Sequence, residues 1–468
     1  MIHTQWKFAE EEICRRVSAI MQETQAVGLA ISILEGGNKP RRMFFGWRDR
    51  EEKKEINADS IFGLASITKS FTALSILQLC EKGNLSLQAP VSLYLPQWRD
   101  PPNRSPVRLW HLLCHSGGFF PLSRLTIPDM AGELGIYEDG KRELAYNNLL
   151  SQMGTQRVCD RLNRQTQFTG EPGTVMSYCN DGFGLLSEIV HRAGDCDSYA
   201  GYVKKHLLAP LHMDRSGCEF VSPLLDENHN TLYQVEADGT CTGGHSFYEN
   251  AFVLHGGGAM RSTLRDMENY VRFYLRRGRT EEGISLLGET WLKEMETPRV
   301  RYRFGASYGF ALSRSEQGPT VLGHGGSLVG ISSYFAYMPE ENRAVIVLCN
   351  TTGVPVSAMG EGILRLCRGE RWKDPRRELA TLPWGSFPVQ QAVGRYVGGE
   401  GQNLELQPDG NGGLRFLADG RVIPSRPVSP DTLLLEGKNS VSDVMLEREA
   451  DGRIFALRYG GRMIPREP

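Results

Sequence analysis

Two apolar, β-branched runs stand near opposite ends of the first 370 residues, and a chain that buries both has to bring those ends together. Val27-Gly28-Leu29-Ala30-Ile31-Ser32-Ile33-Leu34 stops at Gly36-Gly37, with Arg42 to Trp47 reading as its hairpin partner. Ala344 to Leu348 is apolar enough for a buried strand, and strand character also marks Val321-Leu322 and Ser333 to Met338. A sheet built from both chain ends is therefore expected. Residues 7–24 place Phe8, Ile13, Val17, Ile20 and Met21 at helical spacing, which predicts an amphipathic helix laid against that sheet. From Ser66 a second helical pattern runs through Phe71, Leu74, Ile76, Leu77 and Leu79 to a glycine stop at Gly83.

The 468 residues exceed what one hydrophobic core usually organises, so a large unit and a smaller one are expected. Helical segments and long loops fill residues 84–300, and the polar stretch 121–170, without a strong period, reads as a lid or wall over a site. A last helix at about 355–367 precedes a polar, proline-containing segment that reads as a linker, 371–388. Residues 389–468 carry short apolar runs punctuated by glycine, proline and aspartate, the pattern of a small all-β barrel. The fold class expected is α+β: a domain over 1–370 with an antiparallel sheet, flanking helices and a helical lobe, then the barrel.

Charge narrows the partners. Lysine plus arginine (53) and aspartate plus glutamate (55) nearly cancel, which gives no overall field toward nucleic acid or an anionic membrane. The N-terminal MIHTQWKFAEEEICRRVSAIMQ lacks the order of a secretory signal, and no apolar stretch reaches membrane-spanning length, so a cytoplasmic address is expected. Ten cysteines, spread from Cys14 to Cys367, show neither zinc nor CxxC spacing and read as reduced and inert.

Three motifs carry chemistry. In Phe62-Gly63-Leu64-Ala65-Ser66-Ile67-Thr68-Lys69 a serine precedes a lysine by three residues at a helix start, which puts their side chains roughly 60° apart on one face. A hydroxyl is a weak nucleophile, and a desolvated lysine with a depressed pKa can serve as its base. Next, Phe168 to Asn180 is a loop with glycines and a proline that presents Tyr178 and Asn180, a phenol and an amide suited to moving a proton and holding a substrate. Last, Gly323-His324-Gly325-Gly326-Ser327-Leu328-Val329-Gly330 enters a strand whose glycines let a substrate lie along its edge and an N–H face an oxyanion. Each has an ordinary structural reading by itself: a helix-start serine, a capped core tyrosine, a turn. SxxK, YxN and HxG in that order are far more specific.

This set resembles the active-site motifs of the serine β-lactamase and penicillin-binding-protein superfamily. The tyrosine form is similar to class C β-lactamases and their relatives: esterases, D-aminopeptidases, alkaline D-peptidases and acyltransferases. Leu109 to Gly118 resembles that group's HLLxHxSG segment with one residue fewer, and Gly257 to Met267 resembles its GG-x-x-ST-x-x-DM segment. The resemblance implies that Ser66 forms an acyl-enzyme and that Lys69 either lowers the pKa of Tyr178 or is the base itself. Asn180 would hold Lys69 and the substrate amide, the N–H groups of Ser66 and Ser327 would form the oxyanion hole, and Gly325 and Gly326 would line the substrate strand. No cofactor or metal is implied. His324 stands where penicillin-recognising members carry a lysine for the substrate carboxylate, which argues against efficient β-lactamase or carboxypeptidase activity. It either polarises the tyrosine hydroxyl or fills space. The C-terminal segment, with Val393 to Gly398, resembles the lipocalin-like barrel appended to several relatives.

The expected function is hydrolysis of an amide or ester bond in a small molecule or peptide, one with a D-residue included. Acyl transfer, including cyclisation of nonribosomal peptides by penicillin-binding-protein-type thioesterases, uses the same residues and stays open, as does homo-oligomerisation. A silent binding protein with this fold is disfavoured by the intact Ser66, Lys69, Tyr178 and Asn180. A Cys179 nucleophile is disfavoured because a side chain between two motif residues points away from theirs.

Overall fold

A computed structural model describes residues 2–123, 143–219, 226–236, 238–245 and 255–467. The expected lid at 121–170 lies partly outside these residues.

The two apolar runs do meet. Strand Gly28–Glu35 pairs antiparallel with Arg343–Cys349, Leu29 opposite Cys349 and Leu34 opposite Ala344. They are the third and fourth strands of a nine-stranded sheet ordered Lys54–Glu55, Arg41–Asp49, Gly28–Glu35, Arg343–Cys349, Ile331–Met338, Leu322–Leu328, Ser313–Ser315, Ala306–Tyr308, Val300–Arg303. Side chains alternate across a strand, so a run with no polar face needs cover on each side. Leu29, Ile31 and Ile33 pack with Ile13, Val17 and Ile20 of the Ile2–Thr24 helix and with Met359 and Ile363 of the Val356–Cys367 helix. Ala30 and Leu34 belong to the opposite core with Phe71, Leu74 and Tyr270.

The Thr68–Glu81 helix is buried on every side from Thr68 to Cys80. Its polar residues are satisfied internally: Ser75 Oγ donates to the Phe71 carbonyl at 2.9 Å and Tyr270 donates to Ser70 Oγ at 2.7 Å. The helix ends at the predicted glycine. Gly83 adopts φ +80°, and the Asn84 N–H reaches back to the Leu79 carbonyl at 2.9 Å.

Beyond residue 388 the expected all-β module is present, with a different closure. A four-stranded sheet (Gly394–Val397, Asn403–Pro408, Leu414–Ala418, Arg421–Ile423) and a five-stranded one (Ser425–Ser429, Thr432–Glu436, Val441–Arg448, Ile454–Tyr459, Arg462–Pro465) share a core of Tyr396, Leu406, Phe416, Leu433, Val444 and Leu457. They touch through a bridge between Tyr396 and Arg466, in place of the single closed barrel expected from the turn spacing. Phe387, in the segment read as a linker, is already part of this core. Among the described residues no helix is long and apolar enough to cross a membrane.

Candidate active site

The three motifs converge where the nine-stranded sheet meets the helical lobe. Ala65, just before Ser66, takes φ +45°, a left-handed value that costs a residue with a Cβ about 1–3 kcal/mol unless its surroundings enforce it. Four hydrogen bonds do. Ser333 Oγ donates to the Leu64 carbonyl at 2.7 Å and the Leu64 N–H to the Met260 carbonyl at 2.8 Å. Thr68 Oγ1 donates to the Ala65 carbonyl at 2.6 Å and accepts from the Met260 N–H at 3.0 Å. Strand Leu322–Leu328 presses on the same turn at Gly326, where a Cβ would lie 2.2 Å from the Leu64 carbonyl oxygen. Gly325 has no such neighbour within 3.6 Å, and Ser327 is exposed. Pairing with Ser313–Ser315 stops at Gly323, so that edge of the strand is unpaired from His324 onward among the described residues.

Lys69 is fully buried and its Nζ donates to Ser66 Oγ at 3.1 Å and to the Gly257 carbonyl at 2.6 Å. Burial, helped by the positive charge of Arg462, pushes the Lys69 ammonium down to about 7. Tyr178 is also buried, with Lys69 Nζ 4.9 Å and Arg462 Cζ 4.7 Å from its ring centroid and the His115 ring at 4.1 Å. Burial raises its phenol, while the Ser66 hydroxyl and Arg462 act the other way.

Two sequence expectations change here. Asn180 Nδ2 donates to Glu400 Oε1 at 2.8 Å, and Asn180 Oδ1, the atom that would accept from Lys69, is buried without a partner among the described residues. His324 contacts Tyr178 only ring to ring, at 6.4 Å. Its Nδ1 lies 2.6 Å from the Gly325 carbonyl, which can only accept, so Nδ1 carries the proton and Nε2 accepts from the Tyr308 hydroxyl at 2.9 Å. Neither nitrogen is left to polarise Tyr178 or to hold a carboxylate. Burial, then Lys69, holds this imidazole down to about 3, so it is neutral.

Sequence reading passed over four residues. His115, buried at φ +57°, accepts the Cys179 N–H on Nδ1 at 3.1 Å, which puts its proton on Nε2. Tyr308 holds His324. Glu400 and Arg462 arrive from the C-terminal sheets: the Arg462 Nε bonds to Glu400 Oε2, and the Tyr178 N–H donates to the Gly461 carbonyl at 2.8 Å. Two signals were readable: the likeness of Leu109 to Gly118 to the HLLxHxSG segment, which spans His115 without giving its partner, and Gly460-Gly461, a two-residue hairpin turn that does not say where it docks.

All ten cysteines are free, and burial raises the Cys179 thiol, which removes it as a nucleophile at neutral pH. Among the described residues, Asp195, Cys196 and His206 alone bring metal-ligand atoms within 4.8 Å of one another, and Asp195 is already paired with Lys205 at 2.6 Å.

Residues 13–368 match the family described as Beta-lactamase. Protein flp of Staphylococcus aureus (strain COL) is 23% identical over 346 residues, 73% of this chain and 63% of its own length. The chain thus spans less than two thirds of that relative. Penicillin-binding protein 4* of Bacillus subtilis (strain 168) is 26% identical over 330 residues, 68% of this chain and 66% of its own. The octameric penicillin-binding protein homologue from Pyrococcus abyssi is similar in structure at 25% identity and a TM-score of 0.66, over 98% of this chain and 99% of that one.

Proposed function

This chain belongs to the β-lactamase family of serine hydrolases, and from that premise we propose that it cleaves amide or ester bonds of small substrates through an acyl-enzyme on Ser66. The observation that carries the reading is the contact of a fully buried lysine with the serine hydroxyl, Nζ to Oγ at 3.1 Å. A lysine brought to about 7 is half neutral at neutral pH and can accept the Ser66 proton as Oγ attacks the substrate carbonyl carbon. The bond to the leaving group then breaks, and the Tyr178 phenol, kept protonated by burial, is placed to protonate it. Lys69 then passes the proton it took to Tyr178. In the second half water attacks the ester on Ser66, giving its proton to Lys69 while Ser66 Oγ leaves with the Tyr178 proton, after which Lys69 again reprotonates the phenol. The N–H groups of Ser66 and Ser327 serve as the oxyanion hole, and the unpaired Asn180 Oδ1 suits a substrate amide N–H. Gly325 and Gly326 leave the strand edge open to the substrate backbone.

Peptides with a D-residue are the substrate class we favour, on the likeness to D-aminopeptidases and alkaline D-peptidases. A neutral His324 with both nitrogens engaged disfavours substrates anchored by a carboxylate at that position. We read residues 1–370 as the hydrolase domain, 371–388 as a linker and 389–468 as an appended domain, and take the Pyrococcus abyssi octamer as the guide to self-association.

Cleavage of p-nitrophenyl esters and of D- against L-alanyl p-nitroanilide, wild type beside Ser66→Ala, tests the proposal. Serine-dependent turnover with a D preference and a fall of about a thousandfold in the variant supports it. Undiminished turnover by Ser66→Ala overturns it. A cyclic or aminolysed product in place of the free acid would assign the same site to acyl transfer.

A further inference from the structure

We propose that Arg462, delivered to the Ser66 centre by the C-terminal sheets, is a positioning residue that fixes the Tyr178 ring and sets a positive charge against Lys69. The inference rests on the reading of Ser66 and Lys69 given above.

Two hairpin tips from two different sheets meet at this point. The turn Gly460-Gly461, with φ of +56° and +76°, has the twist of a tight two-residue hairpin and places Arg462 at the start of its return strand. The tip is bonded to the loop that carries Tyr178: the Tyr178 N–H donates to the Gly461 carbonyl at 2.8 Å and the Met463 N–H to Ser177 Oγ at 3.4 Å. Glu400 comes from the turn between Gly394–Val397 and Asn403–Pro408. One of its carboxylate oxygens receives the Asn180 amide and the other receives Arg462 Nε, so a single anion ties the arginine to a motif residue. The ion pair is largely withdrawn from water, with the arginine and glutamate side chains 26% and 17% exposed. An ion pair that merely staples the sheets in place has no reason to lie 4.7 Å from the ring of the proposed acid.

The charges facing Lys69 give the arginine its consequence. His115 and His324 are held neutral by burial, and the Cys179 thiol is held protonated. Glu400 and Asp181 favour the ammonium form, the Asp181 carboxyl being itself pushed up to about 7. Arg462 opposes them, and it also favours the ionised form of Tyr178. Losing its charge therefore moves the lysine and the phenol in the same direction, upward, whichever of the two takes the Ser66 proton.

The experiment compares full-length wild type, Arg462→Met, Arg462→Gln, Arg462→Lys and Ser66→Ala in p-nitrophenyl ester hydrolysis from pH 5 to 10, with melting curves. Expected is an ascending limb of kcat/KM shifted up by about one pH unit in Arg462→Met and Arg462→Gln, about a tenfold loss at pH 6. The loss closes above pH 9, and Arg462→Lys keeps the wild-type limb. Arg462→Gln, which can still bond to Glu400, carries the test where Arg462→Met fails to fold. Serine-dependent turnover with an unmoved limb, or Arg462→Lys as impaired as Arg462→Met, overturns the role of Arg462 alone. Turnover retained by Ser66→Ala overturns it together with the reading of the site.

Discussion

Lys69 shows how one side chain sets the working range of the whole site. Its Nζ has two acceptors, Ser66 Oγ and the Gly257 carbonyl, and burial outweighs everything else in bringing it to about 7. Only the neutral amine can take a proton, so kcat/KM should rise with pH up to about 7 and level above it. Steady-state rates across pH read that limb directly, and a flat profile would remove Lys69 as the base. Lys69→Met, which keeps the volume and drops the amine, should lose about 10²–10⁴-fold at pH 8 with little change in KM. Ser66 and Lys69 were legible because three residues of helix place them on one face whatever the rest of the chain does. Asn180 and His324 were legible as members of the site but not in their bonds. Glu400 takes the Asn180 amide and Tyr308 takes His324 Nε2, partners that no local pattern ties to them.

At the scale of elements, the strand Leu322–Leu328 and the turn Ala65–Ile67 are pressed together until only hydrogen fits at Gly326. Gly326→Ala should lower stability by about 1–3 kcal/mol in a denaturant titration and depress turnover with it, because the displaced neighbour is the Leu64 carbonyl beside the strained Ala65. Gly325→Ala, with its nearest neighbour 3.6 Å away, should be close to neutral in stability, and equal losses in the two variants would refute the packing argument. Periodicity found the central strands and the helix from Thr68, since apolar runs and a glycine stop are local. It missed the closure of the C-terminal sheets. Turn residues report hairpins, whereas closure depends on whether first and last strands pair, and here Tyr396 and Arg466 share one bridge.

For the whole molecule, the C-terminal sheets are part of the site's wall and not a remote appendage. They touch the main sheet's edge, where the Phe304 N–H donates to Asp443 Oδ2 at 3.0 Å and Arg458 Nη1 to the Arg301 carbonyl at 2.7 Å, and they touch Tyr178 and Asn180 directly. Composition and spacing showed that a second all-β unit exists, and the docking of its hairpin tips on a loop some three hundred residues earlier left no mark in either. The self-association proposed above is checked by sedimentation velocity, in which an oligomer supports it and a monomer at all concentrations contradicts it. Every role proposed for Lys69, Tyr178 and Arg462 requires that Ser66 Oγ is the atom acylated. Intact-mass and peptide mapping after treatment with a p-nitrophenyl phosphonate tests this most directly. Expected is one phosphonyl adduct on the peptide carrying Ser66 and none on Ser66→Ala; an adduct on another residue, or equal labelling of the two proteins, would contradict acylation at Ser66.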